Sequence, residues 1–277
     1  MQVLKRIFDF YINSSIHVAL AVCSLMWISL LDFDLLLDQN LMFFVFFATI
    51  TGYNFVKYFG LAKFHHRRLA NWLKMIQIFS LISFAGLCYF GLKLELKTIM
   101  YITGFGLVTF LYAIPFLPKK IFLEGGKNLR AISGLKIYII ALVWSGITVI
   151  LPVINESYPL DFDVIIALFQ RFVYVVVAML PFEIRDMQFD SLKLSTVPQI
   201  IGVRQSKIIG TLLLILFFMI EYFKDGTSKV QLGILGIVSV VLVLFLLFSQ
   251  IKQPKYYSSF FVEGIPIMWL LLLLWFS

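Results

Sequence analysis

Three carboxylates lie close together in one short stretch of this chain: Glu183, Asp186 and Asp190. Their spacing of three and then four residues places all three on one face of a helix. The preceding sequence is apolar, and a cluster of acids in such a setting is costly unless a cation neutralises it. The pattern therefore predicts a cation-binding site of the metal-phosphate kind at the polar end of an apolar helix.

The helices that must position this cluster are membrane helices. The 277-residue chain is 61% hydrophobic and only 14% charged, and its mean hydropathy is +0.96. A soluble protein of this length would carry far more charge. Apolar runs of about 20 residues recur along the chain and match the roughly 30 Å hydrocarbon core of a bilayer. The sequence predicts an all-α, multi-pass membrane protein with one membrane domain over residues 1–277.

Nine apolar segments are predicted to span the membrane. We expect the first to be retained, because it lacks the short apolar region and the small-residue cleavage site of a signal peptide. Spans two and six resemble each other weakly, since each ends in polar residues followed by a long basic loop. This similarity indicates two pseudo-repeated halves, roughly 1–130 and 131–277. The predicted spans are 15–35, 40–59, 72–92, 97–114, 133–152, 162–182, 206–223, 230–250 and 259–276.

Basic residues are distributed unevenly between the predicted loops. Lys and Arg collect in the N-terminal segment and after spans two, four, six and eight, whereas the alternate loops hold few. The positive-inside rule then predicts a cytoplasmic N-terminus, an external C-terminus and a site on the cytoplasmic side of a bacterial plasma (inner) membrane. The net charge of +8 follows from this topology, so nucleic acid is not an expected partner.

The acid cluster opens a longer motif. The motif resembles the second Asp-rich signature of the UbiA superfamily of intramembrane prenyltransferases, with Glu183 in place of the first aspartate and Val197 in place of a leucine. A Tyr-x-x-Pro element at 112–115 and the predicted nine-span plan fit the same family. The residues that carry the motif are Glu183, Asp186, Asp190, Lys193, Thr196, Val197, Pro198 and Gly202.

The resemblance implies a fold and an activity. UbiA-like enzymes are nine-helix bundles around a lipid-accessible central chamber. They bind a prenyl diphosphate through Mg²⁺ and transfer the prenyl group to an aromatic or lipid acceptor. The metal neutralises charge that develops on the leaving diphosphate. Glu183, Asp186 and Asp190 are then the implied Mg²⁺ ligands.

The first Asp-rich motif of the family is altered here. Its pattern, Asn-Asp-x-x-Asp-x-x-x-Asp, falls at the end of the second span. Asn54 is kept, but Phe55, Tyr58 and Ala62 occupy the three aspartate positions, and Lys57 adds a positive charge. Half of the expected metal site is therefore missing.

Two interpretations of this change remain open. In the first, Lys57 with Arg67 or Arg68 binds phosphate directly, and the second acid cluster holds a single metal ion. In the second, Lys57 forms an ion pair with Asp186 or Asp190, and the site is a structural relic.

Further basic residues complete the predicted site. Arg171 stands near the middle of span six, at a helical angle similar to that of Asp186, and is either a substrate contact or an internally paired side chain. We expect Asn54, Asp186 and Asp190 to be catalytic. The predicted substrate-binding residues are Lys57, Lys119, Lys120, Arg130, Arg171 and Lys193.

Two functions follow from this pattern. The first is a Mg²⁺-dependent prenyltransferase that acts on an isoprenoid diphosphate. The second is a non-catalytic protein of the same fold that binds an isoprenoid or other lipid, or supports a partner enzyme. A secondary transporter is disfavoured, because the sequence shows no pair of Gly/Pro-interrupted helices.

Overall fold

The computed structural model describes residues 2–64, 71–113, 134–188 and 196–276. These residues are almost entirely helical and contain no strand, which confirms the predicted all-α class. The α-helices are α1 (Gln2–Asn13), α2 (Ile16–Asp32), α3 (Gln39–Phe64), α4 (Asn71–Gly91), α5 (Leu96–Ala113), α6 (Leu135–Ser145), α7 (Leu151–Asn155), α8 (Phe162–Asp186), α9 (Val197–Ile201), α10 (Val203–Ile220), α11 (Lys229–Phe248) and α12 (Ile265–Phe276).

Seven helical segments of the described chain are long and apolar enough to cross a membrane, or eight if α1 and α2 together form one bent span. A π-helical segment, Gly146–Ile150, joins α6 and α7 into a single span, and another, Tyr257–Val262, precedes α12. The apolar part of α5, Leu96–Leu111, is shorter than the others. The protein is therefore a multi-pass helical membrane protein, whereas the predicted count of nine spans and the orientation stay predictions.

A sharp break separates α1 from α2, whose axes differ by 53°. Ser15 lies at this break with φ of 65°, a left-handed conformation that residues with a side chain adopt rarely. Its hydroxyl donates to Oδ1 of Asn54 (2.8 Å) and accepts from Nζ of Lys57 (2.9 Å). Two side chains of α3 therefore hold the break in place.

The long helix α8 runs through the centre of the main core. Its buried residues, among them Tyr174 and Ile184, pack against α2, α6, α10, α11 and α12. Gly210 of α10 permits close approach, because a Cβ there would lie 2.5 Å from Leu246 and 2.8 Å from Leu180 side-chain atoms. Helices in lipid gain no hydrophobic driving force from associating, so they depend on the close van der Waals packing that small residues allow. This packing fixes the C-terminal end of α8, where the acids lie.

Candidate functional site

The centre of the candidate site is an ion-pair cluster between α6 and α8. Nζ of Lys136 lies 2.9 Å from Oε1 of Glu183 and 3.3 Å from Oδ2 of Asp186. Glu183 is buried, with 1% of its side chain exposed, whereas Asp186 is 23% exposed. The predicted spacing does bring the two acids to one face, and a single amine bridges them.

The position of these acids explains why they need cations. Glu183 and Asp186 lie in the last turn of α8, where the helix dipole already places partial negative charge. Arg185 adds a second cation, since its Nη2 lies 2.8 Å from Oδ1 of Asp186. The guanidinium of Arg185 also lies 5.3 Å from the centre of the Phe182 ring. In this structure Lys136 and Arg185 supply the positive charge that the sequence pattern requires.

Asn54 is a structural centre of hydrogen bonds. It is 3% exposed, and its Nδ2 donates to the carbonyl oxygen of Ser14 (3.0 Å) and to Oγ of Ser80 (2.8 Å). Its Oδ1 accepts from Ser15, so the one side chain ties α3 to α4 and to the break before α2. These bonds give Asn54 a role in the fold, while its predicted catalytic role stays a prediction.

Lys57 lies one turn beyond Asn54, and its amine points to Ser15 instead of to the acid cluster. Nζ donates to Oγ of Ser15 (2.9 Å) and lies 5.8 Å from the centre of the Tyr53 ring. Within the described residues, the ion pairs of Asp186 are with Lys136 and Arg185 and not with Lys57. The suggested Lys57–Asp186 pair is therefore wrong for this structure, and the alternative partner, Asp190, lies outside the described residues.

A further acid, Glu263, completes the polar groups at this end of the bundle. It lies close enough to Lys57 and Arg185 for electrostatic interaction. Glu263 follows the π-helical segment 257–262, and such segments are frequent at functional sites. The ends of α3 and α8 and the start of α12 therefore meet in one charged region.

A histidine holds the π-helical segment beside Glu263. Nε2 of His17 lies 2.9 Å from the carbonyl oxygen of Phe260 and must donate, because a carbonyl only accepts. In the neutral ring Nδ1 then accepts from the Tyr11 hydroxyl, 2.7 Å away. Gly264 leaves room for the carbonyl group of Phe260, since a Cβ at position 264 would lie 2.7 Å from its oxygen.

Arg171 lies far from the acid cluster. It precedes Asp186 by fifteen residues of α8, which is roughly 22 Å of helix. Arg171 is 3% exposed. Its guanidinium donates to the carbonyl oxygen of Leu25 (2.6 Å) and to Oγ of Ser29 (3.3 Å). It also lies 5.3 Å from the centre of the Trp269 ring. These contacts favour an internal, structural role, and the predicted substrate contact stays untested.

The surroundings of Arg171 form a second polar region. A cavity of about 20 Å³ lies there, which is room for about one water molecule. Nearby, Nε2 of Gln170 donates to Glu221 (2.8 Å), and Lys224 pairs with the same carboxylate (2.9 Å). The charged residues that line the cavity are Asp32, Arg171, Glu221 and Lys224.

The C-terminal part of the Asp-rich motif, from Thr196 to Gly202, has a local structural explanation. The backbone N–H of Thr196, at the start of α9, donates to Oε1 of Gln199 (2.8 Å). Pro198 lies in the first turn, where a missing N–H costs nothing. Gly202 joins α9 to α10 with φ of 87° and ψ of 154°, a conformation open almost only to glycine. These three residues end one helix and begin the next.

Several predicted residues lie outside the described ranges. Nothing in the structure places them relative to the acid cluster, so their roles stay predictions. They are Arg67, Arg68, Lys119, Lys120, Arg130, Asp190 and Lys193.

No protein-family model matches this chain, and no curated protein or solved structure is significantly similar to it. The resemblance to the UbiA superfamily therefore rests on the sequence motif itself.

The two described carboxylates suit one magnesium ion better than two. The described part of the chain contains no group of three His, Cys, Asp or Glu side chains arranged to hold a metal. Mg²⁺ is commonly bound through only one or two carboxylates together with substrate phosphates. Glu183 and Asp186 provide that hard-oxygen set, because both approach the same point, now held by Lys136. Glu183 and Asp186 would therefore suit at most one such ion, and further oxygen ligands would have to complete its coordination.

Proposed function

We propose that this protein is a UbiA-like intramembrane prenyltransferase. It takes a prenyl diphosphate from the membrane and transfers the prenyl group to an aromatic or lipid acceptor. The observation that carries the proposal is the convergence of Glu183 and Asp186 on one cation at the end of α8, where Arg185 pairs with Asp186. Glu263 links this cluster to the α3 side, because it interacts electrostatically with both Arg185 and Lys57. The cationic groups match a diphosphate, and the two carboxylates match its metal ion.

The proposed roles divide between acids and bases. Glu183 and Asp186, with Asp190, would hold Mg²⁺, which supplies charge neutralisation at the leaving diphosphate. Lys136 and Arg185 would turn from the carboxylates towards phosphate oxygens once the metal takes their place. Lys57 would donate to the diphosphate from the α3 side. The other predicted substrate-binding residues would add positive charge for the diphosphate; they are Lys119, Lys120, Arg130 and Lys193.

The proposed reaction breaks one bond and forms another. The carbon–oxygen bond between the prenyl group and the diphosphate breaks, and both electrons leave with the diphosphate. The allylic carbon then bonds to a nucleophilic atom of the acceptor, which gives up a proton. The uneven distribution of Lys and Arg supports placing this chemistry at the cytoplasmic face of the plasma membrane.

Binding of farnesyl diphosphate provides the first test. Purified protein in nanodiscs would be titrated with the diphosphate, with Mg²⁺ and with EDTA, beside an Asp186→Asn variant. We expect Mg²⁺ to tighten binding at least tenfold in the wild type and little in the variant, because Asp186 would lose its charge. An affinity that is the same with Mg²⁺ and with EDTA, and the same in the Asp186→Asn variant, would contradict the proposed metal site.

A second function is favoured by one specific observation. Lys136 and Arg185 already neutralise the acids. The side chain of Asn54 uses its amide nitrogen and its oxygen in hydrogen bonds that hold α3 to neighbouring segments. Such a cluster is stable without metal, as expected of a non-catalytic protein that binds an isoprenoid or lipid or supports an enzyme. This alternative predicts that the protein binds farnesyl diphosphate or farnesol but never releases diphosphate.

A further inference from the structure

Helix α1 has two chemically different faces. Val3, Leu4 and Ile7 lie on one side and are 68%, 72% and 61% exposed. Lys5 and Arg6 are exposed on the opposite side of the helix, together with the other polar residues. A water-soluble surface rarely exposes three neighbouring aliphatic side chains to this degree. This face therefore requires a covering partner.

The dimensions of α1 exclude an independent transmembrane position. Its twelve residues extend over roughly 18 Å, well short of the roughly 30 Å hydrocarbon core. The 53° angle to α2 means that α1 does not continue the axis of that helix. A short, strongly amphipathic helix with this geometry suits the plane of the membrane interface.

Contacts with the bundle fix the orientation of α1. The ring of Phe8 packs edge-to-face on Tyr256 (4.9 Å between centres) and Phe260 (5.0 Å). Asp9 accepts from the Tyr256 hydroxyl (2.7 Å) and from the amine of Lys255. The hydrogen bond with Asp9 raises the pKa of Lys255, as expected for an amine that gains a carboxylate partner. The helix is therefore held with its aliphatic face directed away from these contacts.

We propose that α1 is an interfacial helix that binds anionic lipid headgroups of the membrane in which the protein resides. Val3, Leu4 and Ile7 enter the boundary between headgroups and acyl chains. Lys5 and Arg6 lie at the level of the phosphates and pair with them, as basic residues on interfacial helices do. Charge complementarity selects anionic lipid over a neutral surface. This inference is independent of the proposed enzymatic activity.

Lipid-borne quenchers test the position of α1 in the full-length chain. A Cys88→Ala background removes the exposed native thiol, and Cys23 is half-buried. A bimane label is then placed at Leu4→Cys on the apolar face or, as the matched control, at Gln2→Cys on the polar face. A protein without an added cysteine reports any labelling of Cys23. Each protein is studied in phosphatidylcholine nanodiscs that contain either brominated phosphatidylglycerol or the same fraction of brominated phosphatidylcholine.

The proposal predicts that the label at position 4 is quenched by brominated lipid several-fold more than the label at position 2. It also predicts at least twofold stronger quenching by the brominated anionic lipid, a preference that Lys5→Glu/Arg6→Glu removes. A position-4 label that only aqueous iodide quenches would overturn the interfacial placement. Equal quenching by both lipids, unchanged by charge reversal, would overturn the anionic selectivity. Shielding that requires two protein copies in one nanodisc would point to a protein partner and would also overturn the proposal.

Discussion

The amine of Lys136 lies 2.9 Å from the buried carboxylate of Glu183, across the contact between α6 and α8. The same amine reaches Asp186 at 3.3 Å. A lysine at the start of one span therefore neutralises the acids at the end of another. In the proposed enzyme this amine occupies the point that a metal ion would share with the carboxylates, so metal binding would require Lys136 to move away.

The Lys136→Ala variant should be clearly less stable than the wild type. Removing one partner of a buried ion pair costs about 3–5 kcal/mol, and the cost here is lower because Lys136 is 20% exposed. Thermal unfolding in detergent, followed by tryptophan fluorescence, measures the effect. The matched control is Lys97→Ala, which removes an exposed lysine. Adding Glu183→Gln to Lys136→Ala should recover much of the loss; no recovery would argue against the ion pair as its cause.

The Asn54→Ala variant should be destabilised even without any ligand. The substitution removes three hydrogen bonds, to groups of Ser14, Ser15 and Ser80. Each buried group left without a hydrogen-bond partner costs about 1–3 kcal/mol. Gln39→Ala, an exposed amide at the start of the same helix, is the control. An Asn54→Ala protein with wild-type thermal stability and lost ligand binding would instead assign Asn54 to the ligand.

The Lys57→Ala variant separates phosphate binding from structure. Its amine donates to Ser15 at the break between α1 and α2 and lies near Glu263, so we expect some loss of thermal stability although no ion pair with Asp186 is broken. Binding of farnesyl diphosphate should weaken at least tenfold, and Lys57→Arg should recover part of it by restoring the charge. Isothermal titration of the three proteins makes the comparison. Unchanged affinity in Lys57→Ala would remove this residue from the proposed site.

Gly264 should not tolerate a methyl group. A Cβ would lie 2.7 Å from the carbonyl oxygen of Phe260 and 3.3 Å from the His17 ring, and overpacking of this kind costs about 1–3 kcal/mol. The Gly233→Ala variant is the control, because nothing lies within 4 Å of a Cβ there and alanine favours a helix. We expect a lower midpoint of thermal unfolding for Gly264→Ala only. Equal midpoints would show that the π-helical segment yields to the added group.

Much of the architecture could be predicted from hydropathy. The sixth predicted span, 162–182, corresponds to α8, which begins at Phe162 and ends at Asp186. The sequence therefore placed Glu183 and Asp186 correctly at the end of a helix, on one face. The first predicted span, 15–35, corresponds closely to α2, Ile16–Asp32. The two serines at the break between α1 and α2, however, carry no strong turn signal. The separate amphipathic helix α1 was missed for that reason.

The partners of the charged residues could not be predicted. Lys136 lies 47 positions before Glu183 and follows a long basic loop, so nothing local distinguishes it from its neighbours. Glu263 was missed although an acid among apolar residues is a general sign of function. The bonds of Arg171 to Leu25 and Ser29 likewise depend on how α2 packs against α8. Such pairings follow from tertiary packing, which a single sequence does not specify.

Diphosphate release is the most direct test of the proposed prenyltransferase. Purified protein in nanodiscs would receive geranyl, farnesyl or geranylgeranyl diphosphate with Mg²⁺, beside the Asp186→Ala variant and an EDTA control. The proposal predicts Mg²⁺-dependent release of diphosphate by the wild type. The rate of release should fall at least a hundredfold in the variant, because the loss of such an electrostatic contact costs about 2.7–4 kcal/mol in the transition state. Binding of these compounds without any release above the variant would contradict it and would favour the non-catalytic lipid-binding protein.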